Sequence, residues 1–222
     1  MAETMTDFVA EREDMVERQL RRRGIRDRVI LDAFMAVPRE AFVGKDHAAL
    51  AYGDHPLPIA AGQTISQPYI VALMIQAALI GPGDRVLEVG AGSGYAAAII
   101  SRIANQVIAI ERQHALVEVA RARLRRLDYA NVEIVEGDGT KGWRDAAPYD
   151  AILAAASGSH VPEALIAQLA PGGRLVMPIG DPGGIQELVK VTKQEGGVLR
   201  QENLGGVRFV PLIGEEGWGE PH

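Results

Sequence analysis

Three acidic residues stand near the ends of apolar runs, where their carboxylates could bind a cationic or hydroxyl-bearing ligand. Glu88 precedes a glycine-rich turn in VLEVGAGSGY, Glu111 closes the run VIAIE, and Asp138 follows the run VEIVE. Such short apolar runs are typical of strands buried on both faces of a parallel sheet. The carboxyl ends of parallel strands meet at one edge of an open α/β sheet, and ligands bind there. We therefore expect the three carboxylates to share one site.

The turn after Glu88 has glycine at every second position, namely Gly90, Gly92 and Gly94. Without side chains the backbone can turn tightly and a ligand can lie against it. Dinucleotide-binding folds use a similar turn, but their GxGxxG fingerprint needs a small residue where this chain has Tyr95. The spacing therefore disfavours a dinucleotide, and a glycine turn that only packs a helix on a strand stays open as an alternative.

The acids narrow the choice of ligand further. Glu111 lies 21 positions after Gly90, the usual place for an acid that accepts hydrogen bonds from ribose hydroxyls. Glu88, at the end of its strand, could face a cation. Three carboxylates repel a diphosphate but attract the sulfonium and ammonium groups of S-adenosylmethionine. The residues therefore favour S-adenosylmethionine over NAD. For Asp138, adenine contact and the capping of its own glycine turn both stay open.

Composition limits the possible classes of function. The 222 residues are 47% hydrophobic, which suffices for one sizeable core, and we expect a single domain over 1–222. A net charge of −6 argues against a nucleic-acid partner bound through a broad phosphate footprint. The chain has no cysteine, and its five histidines are far apart in sequence, so we expect no metal site.

The sequence contains no targeting or membrane pattern. Its first residues are charged from position 3 and lack the apolar core of a signal peptide. No apolar run approaches the ~18 residues of a membrane helix, and the absence of cysteine suits a reducing compartment. We expect a cytoplasmic protein without a membrane partner, acting as a monomer.

Apolar periodicity predicts alternating strands and helices. Asp7 or Thr6 should cap a first helix that Gly24 ends, and Asp27 should cap a second. We expect strands at 85–89, 107–111, 132–136, 149–156, 173–180, 186–193 and 198–212, and helices at 94–104, 114–127 and 162–169. This order indicates a doubly wound, mostly parallel, Rossmann-like α/β sheet with a C-terminal antiparallel addition. The expected parts are N-terminal helices and a long loop in 1–81, a cofactor-binding core in 82–180 and C-terminal strands in 181–222.

The long loop, YGDHPLPIAAGQTISQ, runs from Tyr52 to Gln67 without a helical period. Pro68 then opens a helix in its first turn, where the missing N–H costs nothing, and Gly81 is expected to end that helix. Ser66 or Gln67 is the natural N-cap. From these residues alone, Ser66 is interpreted as a helix cap.

Two sets of motifs carry a family resemblance. LEVGAGSG, IE at 110–111, GDG at 137–139 and APGGRLV at 170–176 resemble the class I methyltransferases. From about Met15 to Leu212 the chain is closely similar to the protein-L-isoaspartate O-methyltransferases, through VPREAFV (37–43), YGDHPLPIAAGQTISQPYIVA (52–72), GSGYAAA (92–98), GW (142–143), PYDAI (148–152) and VRFVPL (207–212). GQTISQP is the most specific motif, because it looks like the family's substrate loop. Ala91 and Ala154 depart from the family pattern, because many members have a hydroxyl residue at these positions.

The resemblance implies an activity. The enzyme would use S-adenosylmethionine to methylate the free α-carboxylate of L-isoaspartyl residues in damaged proteins and peptides, which begins repair through a succinimide. Its product would be S-adenosylhomocysteine, and its partners would be damaged proteins, without nucleic acid. A carboxylate is already ionised at neutral pH, so no general base is required.

The resemblance also implies residue roles, with Ser66 as the catalytic residue. The implied cofactor-binding residues are Thr64, Ile65, Ser66, Glu88, Gly90, Gly92, Gly94, Glu111, Arg112, Asp138 and Gly139. The implied substrate-binding residues are Asp54, Pro58, Ile59, Gln63, Ser66, Arg208 and Val210. No metal ligand is implied. The plainer alternatives are that Asp54 and His55 only make hydrogen bonds within the loop, and that 208–212 is only a buried last strand.

Other functions remain compatible with these motifs. A class I methyltransferase could act on another carboxylate or on a small molecule. A cofactor-binding protein without turnover, or an NAD-dependent oxidoreductase, could use the same glycine turn. Titration with S-adenosylhomocysteine and with NAD separates the last of these from the others.

Overall fold

A computed structural model describes residues 7–220 of the chain. Helix α1 (Phe8–Asp14) begins at Asp7, whose carboxylate accepts hydrogen bonds from the N–H groups of Val9 and Ala10. The predicted cap at Asp7 is therefore confirmed. Thr6, the alternative cap, lies outside the described residues.

The helical path continues from α1 to the predicted stop at Gly24. Met15–Leu20 forms a π-helical segment and Arg21–Arg23 a 3-10 turn. Gly24 has a φ of 99° and ends the path in the left-handed region, where a residue without Cβ is favoured.

Helix α2 (Arg28–Ala36) begins at Asp27, whose carboxylate accepts the N–H of Val29, as predicted. Its inward face buries apolar side chains, Phe34 among them. Two 3-10 segments follow, at Arg39–Phe42 and Lys45–Leu50.

The long loop contains two short strands. Strand β1 (Leu57–Pro58) pairs antiparallel with β2 (Thr64–Ile65), and a 3-10 turn (Ala60–Gly62) joins them. The pairing brings the two arms of the loop together.

Helix α3 (Pro68–Ala78) corrects two predictions. Its N-cap is Gln67, the second of the two predicted positions, although no side chain makes a capping hydrogen bond there, so the interpretation of Ser66 as the cap was wrong. Pro68 already occupies a position that needs no acceptor. The helix ends at Leu79, which has a φ of 52°, and not at Gly81.

Seven strands form the main sheet. They are β3 (Arg85–Val89), β4 (Gln106–Glu111), β5 (Val132–Glu136), β6 (Tyr149–Ala154), β7 (Leu169–Ile179), β8 (Gln186–Lys193) and β9 (Leu199–Val207). Their order is β5-β4-β3-β6-β7-β8-β9, with β3 to β7 parallel. The chain winds outward from β3 to β5 and then returns to β6 on the other side of β3. The switch point between β3 and β6 is where such sheets bind ligands.

Helices cover the sheet, namely α4 (Tyr95–Ser101), α5 (His114–Arg126) and α6 (Glu163–Ala167). Neighbouring side chains of β3 enter different cores: Val86 packs with α3, α4 and α5, whereas Leu87 packs with α6. Both faces of β3 are therefore buried, which explains its unbroken apolar run. The predicted doubly wound Rossmann-like α/β fold is confirmed. No helix within residues 7–220 is long and apolar enough to cross a membrane.

The last two strands pair antiparallel, as predicted, but the second is shorter than expected. Strand β9 ends at Val207 and not at Leu212, because the chain then leaves β8 and forms an isolated bridge between Pro211 and Ser157, in the segment that follows β6. There Val210 accepts a hydrogen bond from the N–H of Ser157 (2.8 Å), and Leu212 donates one to the Ser157 carbonyl (2.8 Å). The alternative of a buried last strand over 208–212 was therefore wrong.

Candidate functional site

A cavity of about 960 Å³ opens at the carboxyl ends of β3, β4 and β6. One wall is the glycine turn, a second is the loop segment 63–67, and a third is the tail segment 206–213. Its volume lies in the range typical of sites for small molecules and cofactors. The predicted site residues that line it are Gln63, Thr64, Ile65, Ser66, Glu88, Gly90, Gly92, Glu111, Arg112, Gly139, Arg208 and Val210.

The glycine turn is held against the end of β4. The N–H groups of Gly90 and Ala91 both donate to the Ile110 carbonyl, at 2.9 and 3.0 Å. Gly92 has a φ of 53° and lines the cavity, and a Cβ placed there would lie 3.4 Å from the Ile59 side chain. A side chain at position 92 would therefore press on Ile59 of the loop beside the cavity.

Gly94 differs from the other two glycines. A Cβ on it would meet Leu124 and Ala120 of α5, at 3.4 and 3.5 Å, and Gly94 is not part of the cavity lining. The close approach of α4 to α5 explains this glycine in terms of packing. Its predicted cofactor contact stays a prediction.

Glu88 is the most perturbed acid of the cavity. Its side chain is only 2% exposed, and its Oε2 atom has no hydrogen-bond partner in the structure. Burial, and then the charge of nearby Glu111, raises the pKa of Glu88 to about 8. A buried carboxyl oxygen without a partner, in a cavity wall, is suited to a ligand that brings a cation or a donor.

Glu111 is buried at the end of β4, and both of its oxygens already hold backbone groups. Oε2 accepts the N–H of Gly92 and Oε1 that of Gln113, each at 2.9 Å. A carboxylate has about four lone-pair sites, so capacity for ribose hydroxyls remains. Arg112, next in the chain, is exposed, lines the cavity and pairs with Glu220.

Asp138 faces away from the cavity lining and organises its own turn. Its Oδ1 accepts the N–H (2.9 Å) and hydroxyl (2.7 Å) of Thr140, and its Oδ2 accepts the N–H of Glu215 (2.9 Å). Burial opposes ionisation, but these hydrogen bonds outweigh it and lower the pKa of Asp138. The capping alternative therefore has a geometric basis. Gly139 does line the cavity, and the adenine contact of Asp138 stays a prediction.

Both arms of the loop reach the cavity, the first only through Pro56 and the second through several residues. Gln63 to Ser66 line it, with Ser66 half-buried, whereas Asp54, Pro58 and Ile59 lie outside the lining. Asp54 is exposed and pairs with Arg23 at 2.7 Å. Asp54 therefore pairs with a residue outside the loop, whereas His55 makes a contact within it, 3.0 Å between its Nδ1 and the Pro56 carbonyl.

Two buried residues next to the site were given no role by sequence reasoning. Arg39 is fully buried and donates to the Ser66 carbonyl at 2.8 Å. Tyr95, the first residue of α4, lines the cavity, and its hydroxyl has no partner in the structure. The signal for Arg39 was a single cation in the mostly apolar motif VPREAFV, and beside Glu40 it could equally have been exposed. Apolar lining from Ile70, Met74 and Phe209 was also missed.

The arrangement suits an adenosine ligand that carries positive charge. It combines two buried carboxyl groups, bare backbone at Gly92 and an apolar wall. Among residues 7–220, no group of three or more His, Cys, Asp or Glu side chains could hold a metal ion.

Comparison with known proteins gives one consistent family. The family model "Protein-L-isoaspartate(D-aspartate) O-methyltransferase" matches residues 10–217. A protein-L-isoaspartate O-methyltransferase of Methylorubrum extorquens (strain PA1) is 56% identical over 220 residues, covering 99% of this chain and 96% of the relative. Protein-L-isoaspartate O-methyltransferase 1 of Rhodopseudomonas palustris (strain HaA2) is 53% identical over 218 residues, with coverages of 98% and 89%.

Two solved structures agree with this result. A protein-L-isoaspartate O-methyltransferase superposes with a TM-score of 0.83 at 32% identity, over 92% of this chain and 66% of that chain. A putative protein-L-isoaspartate O-methyltransferase of Plasmodium falciparum, in complex with S-adenosyl-L-homocysteine, gives a TM-score of 0.78 at 27% identity, with coverages of 94% and 99%.

Proposed function

Because this chain belongs to the protein-L-isoaspartate(D-aspartate) O-methyltransferase family, we propose that its cavity holds the cofactor at Glu88, Gly92 and Glu111 and an isoaspartyl carboxylate at Ser66. The enzyme uses S-adenosylmethionine to methylate the free α-carboxylate of L-isoaspartyl residues in damaged proteins. The continuity of the cavity carries our residue assignment: one space of about 960 Å³ extends from Glu88 to Ser66 and Arg208.

S-adenosylmethionine supplies an electrophilic methyl group on a sulfonium. The residues of the chain have to orient rather than to transfer protons, because the substrate carboxylate is ionised at neutral pH. In our proposal Ser66 donates its hydroxyl hydrogen to one carboxylate oxygen and leaves the other free to attack. Glu111 holds the ribose, and Glu88 faces the positive end of the cofactor. Orientation of this kind contributes up to about 7 to 11 kcal/mol to lowering a barrier.

The tail supplies the second side of the proposed peptide site. Arg208 and Val210 line the cavity opposite the loop, and the backbone of Val210 is tied to Ser157. We propose that an extended peptide lies between these two walls. The methyl ester that results has a far better leaving group than a carboxylate. The next backbone nitrogen can therefore attack the ester carbonyl carbon, and methanol leaves as the C–N bond closes the succinimide that begins repair.

The decisive experiment compares two peptides that differ only in one linkage. An isoaspartyl peptide and its normal aspartyl twin are incubated with enzyme and methyl-labelled cofactor, and base-labile label is counted. We expect kcat/KM to be about 100-fold or more higher for the isoaspartyl peptide, because only that linkage leaves a free α-carboxylate beside the chain. Comparable labelling of both peptides would contradict the proposed substrate.

Cellular context and organisation complete the proposal. We propose that the enzyme is cytoplasmic, which the absence of cysteine supports. We also propose that it is a monomer and that residues 1–222 form one domain. The single unit is supported by the core, in which Phe34 of α2 packs in the same cluster as Val86 of β3 and Val207 of β9. Sedimentation at one subunit mass would support the monomer, and a concentration-dependent larger species would contradict it.

A further inference from the structure

Arg39 is buried behind the cavity and connects the two ends of the loop that carries Ser66. Its Nε donates to the Ala51 carbonyl at 2.7 Å, and its Nη2 donates to the Ser66 carbonyl at 2.8 Å. These two carbonyls flank the segment 52–65. One planar guanidinium therefore closes the loop at its base, as a rigid fork that a lysine cannot reproduce.

The same guanidinium also faces the glycine turn. Its carbon lies 4.7 Å from the ring centroid of Tyr95, the residue that directly follows Gly94 and lines the cavity. The ring of Tyr95 packs against those of Phe42 and Phe34, at distances of 5.5 and 6.2 Å between ring centroids. Arg39 thus links the loop that presents Ser66 to the element that starts beside the cofactor turn.

A structural role alone accounts poorly for this arginine. It is fully buried, no carboxylate among the described residues forms a salt bridge with it, and besides the two carbonyls it faces the neutral side chain of Tyr95. Burial lowers the pKa of Arg39, although an arginine in a protein remains charged. A buried cation without an acidic partner is costly, and an apolar side chain would pack the same space without that cost.

We propose that Arg39 is a positioning residue for methyl transfer, holding the Ser66 backbone at a fixed distance from the glycine turn so that the serine hydroxyl meets the substrate carboxylate in line with the methyl group. This inference rests on the proposed function. A displacement of about 1 Å far from the reacting atoms can cost about 100-fold in rate.

The test is Arg39→Lys, with Arg174→Lys as the matched control. Arg174 makes a similar clamp, since its Nε and Nη2 donate to the carbonyls of Ala78 and Leu79, both at 2.7 Å. It differs in pairing with Asp84 at 3.0 Å and in holding residues that do not line the cavity, whereas Arg39 holds Ser66. For Arg39→Lys we expect kcat on an isoaspartyl peptide to fall about 10- to 100-fold, with KM and the Kd for S-adenosylhomocysteine within about threefold of wild type. For Arg174→Lys we expect lower stability but unchanged kcat per folded molecule.

Arg39→Ala adds a rescue experiment. Added guanidinium ion, at concentrations too low to denature, should restore part of the lost kcat by occupying the space that the side chain leaves, whereas an equal concentration of ammonium ion should not. Wild-type kcat in folded Arg39→Lys, or an equal loss of kcat in Arg174→Lys, would overturn the proposal.

Hydrogen exchange on the wild-type protein keeps the proposal testable if the variants do not fold. The amides at the clamped ends of the loop, near Tyr52 and Gln67, should exchange more slowly than those at 60–62. Equal exchange at both ends and centre would show that the clamp does not hold in solution. Inactivity of the wild type on isoaspartyl peptides would instead contradict the proposed function and leave the exchange test unaffected.

Discussion

Ser66 stands directly before the N-cap of α3, and its side chain does not cap that helix. Its backbone carbonyl is held by Arg39 and its side chain lines the cavity. A small polar residue in this position is therefore better explained by a ligand than by helix stability. At the scale of single residues, the structure removes the interpretation of Ser66 as a helix cap.

Ser66→Ala should separate stability from turnover. Because the hydroxyl caps nothing, we expect the free energy of unfolding to change by less than about 0.5 kcal/mol. The loss of one donor from a preorganised site should lower kcat/KM on an isoaspartyl peptide about 10- to 1,000-fold. Thermal melts, peptide kinetics and titration with S-adenosylhomocysteine measure the three properties. Full activity in the folded variant would remove Ser66 from the reaction.

Glu88 predicts a pH dependence of stability in the ligand-free protein. Its pKa is raised from the ordinary value of 4.5 to about 8, first by burial and then by Glu111. Between these values the folded state keeps a proton that the unfolded chain has lost, so the free energy of unfolding falls as pH rises through this window. The slope from this one group cannot exceed about 1.4 kcal/mol per pH unit, and it vanishes above the folded pKa.

Glu88→Gln removes this titration. We expect the variant to gain stability relative to wild type as pH rises from about 4.5 to about 8, with little further change above. Urea unfolding at a series of pH values measures the difference. Glu133→Gln, at an exposed position on β5, controls for the loss of one negative charge. Parallel curves for wild type and Glu88→Gln would show that Glu88 is not held protonated.

At the scale of elements, the glycine turn serves two contacts at once. Gly92 presents bare backbone to the cavity, whereas Gly94 allows α4 to approach α5. Both have positive φ values, 53° and 84°. One short motif thus joins the binding of a ligand to the packing of the helix that follows.

Alanine at each position should tell these contacts apart. Gly92→Ala and Gly94→Ala should each lose about 1 to 2 kcal/mol of stability, because left-handed backbone is unfavourable for a residue with Cβ. Only Gly92→Ala should weaken binding of S-adenosylhomocysteine, by about tenfold or more, since Gly92 lines the cavity and Gly94 does not. Calorimetry and thermal melts on both variants check this. Equal affinities would mean that the ligand does not lie against Gly92.

At the scale of the whole molecule, the cavity is assembled from distant parts of the chain. The loop segment 63–67, the ends of β3 and β4, and the tail segment 206–213 all contribute walls. A ligand that fills the cavity therefore contacts parts that separate on unfolding, and its binding energy adds to the stability of the whole fold.

S-adenosylhomocysteine should therefore raise the melting temperature, and NAD at equal concentration should not. At a concentration of 100 times its Kd, a ligand that binds only the folded state adds about 2.7 kcal/mol to the free energy of unfolding. Differential scanning calorimetry across a concentration series measures the effect. A comparable shift with NAD would favour the dinucleotide alternative over the proposed cofactor.

Local patterns in the sequence were sufficient for the α/β class and for much of the cofactor side of the site. The bounds of β3, β5 and β8 match the predicted spans, because a change of apolar period, a glycine or a proline acts within a few residues. For the same reason Glu88 and Glu111 could be placed at one sheet edge from their positions at strand ends. The family motifs pointed to the loop that carries Ser66.

Only the tertiary structure decided the contacts between distant residues. Arg39 reaches the Ser66 carbonyl across 27 positions, and Asp138 turns from the cavity toward Glu215 across 77 positions. The strand order, the departure of the tail from β8 after Val207 and the absence of a cap at Ser66 have the same origin. Each of these features depends on which hydrogen-bonding groups lie close together in space once the core has formed. The spacing of residues along the sequence carries no information about those distances.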